Sequence, residues 1–430
     1  MKRKSTPLCE RQGEASLDEA VGLAEAIRLC VVGSRLVCLE KLSSSTYLGS
    51  GLVDELKGLF SALEVGLVII DTTLSPVQQR NLERQWQTKV LDRTGLILEI
   101  FGERARTAEG SLQVELAALN YQRSRLVRSW THLERQRGGF GFTGGPGESQ
   151  LELDRRIIDE RIIKIKTDLK KTLRTRRLQR SARERVPYPT VALVGYTNAG
   201  KSTLFNRLTH ADVFAKDLLF ATLDPTMRQI KLPSGQQVIV SDTVGFISNL
   251  PTTLIAAFRA TLEEVTSADL ILHVRDIAHD DTEFQKRDVD HILQELGLEH
   301  AYDDGLIVEV WNKIDLLDSD VRNVYLNKLK RQKGCIALSA LTGAGLETLK
   351  KVIDDKLSEH RKLFEATLPA SAGELLAWCY RLGAIAERRD DTDSEGQIHL
   401  KLRLPKSLIL QFWERYREAR DVCGGDAKRK

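Results

Sequence analysis

The sequence lacks the features that organise small extracellular or membrane proteins. Six cysteines (Cys9, Cys30, Cys38, Cys335, Cys379, Cys423) are scattered over 430 residues with no C-x-x-C pair and no histidines at zinc spacing. That excludes a disulfide framework or a metal knuckle as the organising principle. The apolar runs, such as Gly66 to Ile70, are far below bilayer length, so no membrane span is expected. The opening MKRKSTPLCERQGE is basic but leads into no apolar segment, so no secretory leader is expected either. Reduced thiols and a cytoplasmic location follow as expectations. Net charge is only +4, which by itself selects no partner.

What is present reads as an ordinary folded chain, 42% hydrophobic and 29% charged, too long for one compact core. From about Leu17 to Ile100, short apolar stretches predicted as strands (Arg35 to Leu39, Val65 to Ile70) alternate with predicted helices (Leu52 to Leu63, Ser75 to Trp86), a small α/β unit. Leu112, Leu116, Leu119, Leu126, Trp130 and Leu133 then step by three and four, interrupted by Arg123. Leu151, Ile158, Ile162, Ile165, Leu169 and Leu173 form a second such seam. The pair predicts an antiparallel helical hairpin whose arms reach roughly 35 to 45 Å at 1.5 Å per residue.

Between the arms, Gly138-Gly139-Phe140-Gly141-Phe142-Thr143-Gly144-Gly145-Pro146-Gly147 holds six glycines in ten residues. Such a run cannot be helical and marks the point of chain reversal. It is longer than a turn requires and suits contact with another molecule, although Phe140 and Phe142 could instead fold back as an apolar plug. Residues 155–185 carry thirteen Lys or Arg against four Asp or Glu. This excess suits a phosphate backbone, the alternative being a solvated helix face.

Chemistry concentrates in the centre. Strand-like Thr190 to Val194 runs into Gly195-Tyr196-Thr197-Asn198-Ala199-Gly200-Lys201-Ser202, the spacing GxxxxGK[ST] between a strand and a helix. Backbone amides there can wrap a β-phosphate, Lys201 can bridge β- and γ-phosphates, and Ser202 can ligate Mg²⁺. The next strand, Val238 to Ser241, ends in Asp242-Thr243-Val244-Gly245. Asp242 is expected to hold the metal through water, and the Gly245 amide to sense the γ-phosphate. Between them, Phe220-Ala221-Thr222-Leu223-Asp224 lies where a switch supplies a second hydroxyl to the metal. Thr222 is assigned that role, with Thr226 as the alternative. The expected catalytic residues are thus Lys201, Thr222 and Gly245, and the expected metal ligands Ser202 and Thr222.

The strand Leu306 to Trp311 ends in Asn312-Lys313-Ile314-Asp315, and Cys335 to Leu338 ends in Ser339-Ala340-Leu341. A carboxylate at Asp315 can accept from both N1–H and the 2-amino group of guanine, which adenine cannot match. Asn312 is expected to tie this loop to the phosphate loop, and the Ala340 amide to meet guanine O6. The set predicts a Mg²⁺-dependent site for GTP and GDP. Phe246 stands where many such proteins place a water-orienting glutamine. Slow hydrolysis awaiting a partner is therefore expected.

The glycine tip followed by Glu148-Ser149-Gln150-Leu151-Glu152-Leu153-Asp154-Arg155-Arg156, together with Phe220 to Thr226 (FATLDPT) and the motifs above, resembles the HflX family of ribosome-associated, translation-factor-related GTPases over roughly Tyr47 to Leu357. The resemblance implies a GTPase that binds the large ribosomal subunit and its rRNA, reaches toward the peptidyl-transferase region with the tip, and helps split stalled or stressed ribosomes. A GTP-regulated RNA-binding or remodelling protein that does not act on intact ribosomes is the alternative. The expected partition is an α/β unit over 1–105, the hairpin over 106–186, a mostly parallel P-loop GTPase domain over 187–362, and a small α+β appendage over 363–430. The free protein is expected to be monomeric.

Overall fold

The computed structural model describes residues 7–105, 107–134, 150–183, 188–210, 220, 226–248, 262, 264–329, 334–359, 361–369, 372–382, 384–390, 397–405, 409 and 412–417. The glycine tip lies outside the described residues, as do Ala221, Thr222, Leu223 and Asp224.

The N-terminal unit contains α1 (Pro7–Ala26), α2 (Ser50–Ala62), β1 (Leu67–Ile70), α3 (Pro76–Trp86), β2 (Lys89–Asp92) and α4 (Arg93–Arg104). Its two strands pair in parallel. Helix α3 starts where Ser75 and Gln78 form a reciprocal capping box and Pro76 takes a first-turn position. Residues 35–39, expected as a strand, join no ladder, and Leu36 is exposed. An apolar pattern identifies a segment able to pair but not whether a neighbouring edge is available to it.

Asp92 caps α4 and is fully buried. Its two carboxylate oxygens accept from Gly95 N (2.8 Å), Tyr121 Oη (2.5 Å), Leu74 N (3.2 Å) and Arg125 Nη2 (2.6 Å). A buried carboxylate is tolerated only when satisfied in this way, and here the donors come from the loop before α3, from α4 and from α5. This residue therefore anchors the hairpin's first arm to the N-terminal unit.

That arm is α5 (Ala108–Glu134), and α6 (Gln150–Arg183) packs beside it. Arg161 pairs with Glu115 at 2.7 Å and Arg123 with Asp159 at 3.1 Å, an antiparallel register. Ile162, Ile165 and Leu169 of the expected seam are buried. On α5, Val114 and Ala117 are buried, and the expected Leu112, Leu116 and Leu119 are only half-buried. The helix serves two partners, and the face toward α4 is the drier one.

The central sheet is built from β3 (Thr190–Gly195), β4 (Thr226–Lys231), β5 (Gln237–Asp242), β6 (Leu270–Asp276), β7 (Ile307–Asn312) and β8 (Cys335–Ala337), in the order β4-β5-β3-β6-β7-β8. Only the β4–β5 pairing among them is antiparallel. Helices α7 (Lys201–Thr209), α8 (Thr282–Glu295), α9 (Ser319–Leu329) and α10 (Leu346–Glu359) accompany it. Because β3 has β5 on one side and β6 on the other, the chain diverges beyond its carboxyl end, the crevice where such sheets take ligands. One apolar core unites Leu96, Ile97, Ile100 and Phe101 of α4 with Val194, Tyr196, Phe246 and Ile271 of the sheet region. The N-terminal unit is thereby seated on the central sheet.

The C-terminal part places α11 (Gly373–Arg381) with β9 (Arg361–Pro369), β10 (Ile385–Asp390) and β11 (Gln397–Pro405), an antiparallel sheet of order β10-β11-β9. Strand β9 adds an element that the sequence reading did not foresee. Among the described residues, no helix is long and apolar enough to cross a membrane.

Candidate nucleotide site

The phosphate loop owes its path to two glycines. Gly195 has φ +152°, and a Cβ there would lie 2.1 Å from Val274 O of β6. Gly200 has φ +89°, and a Cβ would lie 2.2 Å from Asn312 Nδ2. Any other residue at either position would push the loop off its neighbour. Asn198 adopts the left-handed conformation, φ 59°, which its short polar side chain tolerates.

Lys201 opens α7 and is buried; its Nζ donates to Gly195 O at 3.1 Å and Tyr196 O at 2.8 Å. Burial pushes this ammonium down to about 8, and the nearby Asp242 carboxylate opposes the shift. A cation held dry at a helix N-terminus is set to meet an anion. Ser202 Oγ donates to Asp242 Oδ2 at 2.7 Å, bringing a hydroxyl of the first turn of α7 and a carboxylate at the end of β5 together. This all-oxygen pair has the donor chemistry that a hard cation such as Mg²⁺ would take. Among the described residues, no group of three or more His, Cys, Asp or Glu could hold a metal alone.

Asp242, Thr243 and Val244 are buried, and Thr243 Oγ1 donates to Leu193 O at 2.5 Å. Gly245 sits so close to the loop that a Cβ would lie 3.0 Å from both Lys201 Nζ and Thr197. Beyond it, Phe246 pairs with the loop in both directions: its amide donates to Gly195 O (3.1 Å), and its carbonyl accepts from Thr197 N (2.7 Å). The Phe246 ring lies within the core shared with α4. Buried there, a phenyl ring has no group with which to orient a water.

Beyond β7, Asn312 Nδ2 donates to Ala199 O (2.8 Å), joining the loop after β7 to the phosphate loop as expected. Its Oδ1 accepts from Ala340 N at 2.9 Å. Lys313 adopts φ 61° and pairs with Asp276 at 2.7 Å, Ile314 is buried, and Asp315 is exposed in the short helical turn Ile314–Leu316. Ser339 and Ala340 are buried, and Leu341 is exposed.

Of the expected switch, Phe220 is described: buried, at φ 56°, its ring edge-on to Phe101 of α4 with centroids 4.7 Å apart. The alternative ligand Thr226 begins β4, opposite Asp242 in the ladder.

The N-terminal unit also supplies residues to this site. Arg93, buried at the start of α4, donates from Nη2 to Ser248 O and Oγ, both at 3.0 Å, and pairs with Glu19 and Asp71. Glu19 accepts from Tyr196 Oη of the phosphate loop and from Ser248 Oγ (3.1 Å). No local signal could have disclosed this network, because Glu19 and Ser248 are 229 positions apart.

Successive segments match family descriptions: GTP-binding GTPase N-terminal over 14–102, GTP-binding GTPase middle region over 104–183, 50S ribosome-binding GTPase over 190–313, and HflX C-terminal domain over 325–412. A crystal structure of a GTP-binding protein from Sulfolobus solfataricus in complex with GDP overlaps 81% of this chain and 97% of its own, at 24% identity and a TM-score of 0.44. The GTPase HflX of Magnetococcus marinus is 51% identical over 88% of this chain and 86% of its own length. The chain belongs to the HflX family of GTPases. The GTPase HflX of Escherichia coli is 44% identical over 84% of this chain and 82% of its own. As an HflX-family member the chain is a GTP-hydrolysing enzyme, and its mostly parallel sheet with the phosphate loop at the switch point is the scaffold for that reaction.

Proposed function

We propose that this HflX-family GTPase acts on the large ribosomal subunit in the cytoplasm and couples its nucleotide state to the splitting or rescue of stalled ribosomes. Residues 195–202, 220–224, 242–245, 312–315 and 339–341 hold the nucleotide. Ser202 and Thr222 ligate Mg²⁺, which when bound neutralises charge on the transferring phosphoryl group. Lys201 binds phosphate, and the Gly245 amide reports the γ-phosphate. Units over 1–105, 106–186, 187–362 and 363–430 divide the labour.

The observation that carries this reading is the continuity from phosphate loop to arm. Gly245 and Phe246 lie against the loop, Ser248 is bound by Arg93 of α4, and Asp92 beside it anchors α5. Displacement of Gly245 by a γ-phosphate therefore bears on the unit that carries the hairpin. The basic second arm supports contact with rRNA, and the buried Phe246 ring supports slow hydrolysis until a ribosomal partner orders the site. Sedimentation with isolated large subunits tests the reading. Retention with a non-hydrolysable GTP analogue and release with GDP are expected, and loss of ribosome splitting on deleting residues 138–147 with GTP binding intact. Equal sedimentation in both nucleotide states would overturn it.

A further inference from the structure

The loop after β8 contains a peptide group gripped from one side. Arg207, in the last turn of α7, donates from Nε to Ala340 O at 3.2 Å and from Nη2 to Leu341 O. The Ala340 amide is already committed to Asn312 Oδ1 at 2.9 Å. The next amide, that of Leu341, donates to no acceptor among the described residues. The loop around it is closed by Ser339: Thr342 N donates to Ser339 Oγ (3.1 Å), Gly343 N to Ser339 O (2.9 Å), and Ser339 N to Ala344 O (2.9 Å).

Ala340 C=O and Leu341 N–H belong to one planar trans peptide and point in opposite directions. A guanidinium on the carbonyl therefore fixes where the N–H aims and, by polarising the peptide, strengthens it as a donor. Asn312 holds the same loop and also binds Ala199 O of the phosphate loop, so the peptide is registered against the nucleotide's other end.

We propose that Arg207 is a positioning residue for guanine selection, orienting the Ala340–Leu341 peptide so that the Leu341 amide, rather than that of Ala340, donates to O6 of the base. This rests on the assignment of Asn312 and Asp315 to the guanine site. Arg207 acts through the backbone, its guanidinium donating to the carbonyls of Ala340 and Leu341. Its effect is confined to the O6 contact, which separates it from a residue that merely holds the loop together.

The test measures dissociation constants of the full chain with Mg²⁺ for three nucleotides, each compared between variant and wild type: GDP, IDP (O6 and N1–H kept, 2-amino group absent) and 2-aminopurine riboside diphosphate (2-amino group kept, O6 and N1–H absent). Arg207→Ala weakens GDP and IDP about tenfold, the loss of one buried hydrogen bond's worth of affinity, and leaves the 2-aminopurine nucleotide within about twofold of wild type. Leucic acid at position 341, which replaces the N–H by an ester oxygen, gives the same pattern. Equal weakening of all three nucleotides, or of none, by Arg207→Ala overturns the proposal, as does an ester at 341 without effect on GDP. Asp315→Asn keeps the underlying assignment separate. If that variant retained full GDP affinity, the guanine site itself would be misplaced, whatever Arg207 does.

Discussion

The Ser248 amide donates to the Tyr196 hydroxyl at 2.9 Å, so a side chain of the phosphate loop holds the segment that follows Gly245. The same hydroxyl donates to Glu19 of α1, and burial beside that carboxylate keeps the phenol protonated far above its ordinary range. One oxygen thus joins the phosphate loop, the segment after Gly245 and the N-terminal unit.

Tyr196→Phe removes that oxygen and strands both partners. Each buried group left unsatisfied costs about 1–3 kcal/mol, and partial exposure of Glu19 and Ser248 places the expected loss near the low end, about 1–2 kcal/mol. Denaturant unfolding of the nucleotide-free protein measures it. A variant as stable as wild type would show that the hydroxyl is not a structural tie.

Phe246→Gln tests whether the missing glutamine is a matter of residue type or of placement. The side chain at 246 enters the core shared with α4, so a glutamine there creates a cavity and buries an amide, at a cost of about 2–4 kcal/mol. Single-turnover GTP hydrolysis should not rise. An order-of-magnitude gain would mean that the side chain at 246 does reach the phosphates.

Lys201 imposes a pH dependence on the nucleotide-free protein. Its folded-state pKa, lowered from 10.5 to about 8 chiefly by burial, lies below the unfolded value. The unfolded chain therefore binds more protons between those values, and this group's destabilisation, present below pH 8, is relieved as pH rises toward 10.5. The full span is on the order of 3 kcal/mol. Lys201→Met should abolish nucleotide binding and remove this slope. The stability difference between variant and wild type, followed from pH 7 to 10, should therefore shrink; a constant difference would contradict the buried-cation account.

Metal dependence should run through Ser202. In wild type, chelating Mg²⁺ is expected to speed GDP release on the order of tenfold, the equivalent of about 1.4 kcal/mol of lost contact. Ser202→Ala should release GDP rapidly with or without chelator. Continued sensitivity of the variant to chelation would move the ligand role elsewhere.

The path of the phosphate loop and its tie to Asn312 were legible in the sequence because the motif residues that make them are fixed by geometry. Gly195 and Gly200 are demanded by close approaches to Val274 and Asn312, and the motifs sit at the carboxyl ends of parallel strands of one sheet, so order along the chain becomes proximity in space. The tie between Asn312 and the phosphate loop was foreseen for that reason. The Ala340 amide, expected to face the base, is instead bound to Asn312. The seating of the N-terminal unit was not legible. Glu19, Arg93 and Ser248 carry no pattern when far apart in sequence, and a heptad seam on α5 did not reveal that Val114 and Ala117 serve a second partner. Strand-like residues 35–39 misled because pairing depends on a neighbour, which sequence alternation cannot supply.

The most direct test of the whole account is GTP turnover by the full-length protein alone, with isolated large ribosomal subunits, and with total RNA at matched phosphate concentration. The account predicts slow turnover alone and stimulation by large subunits well beyond that by free RNA. Equal stimulation by both, or by neither, would contradict action on the ribosome and leave a GTPase whose target is RNA of another kind.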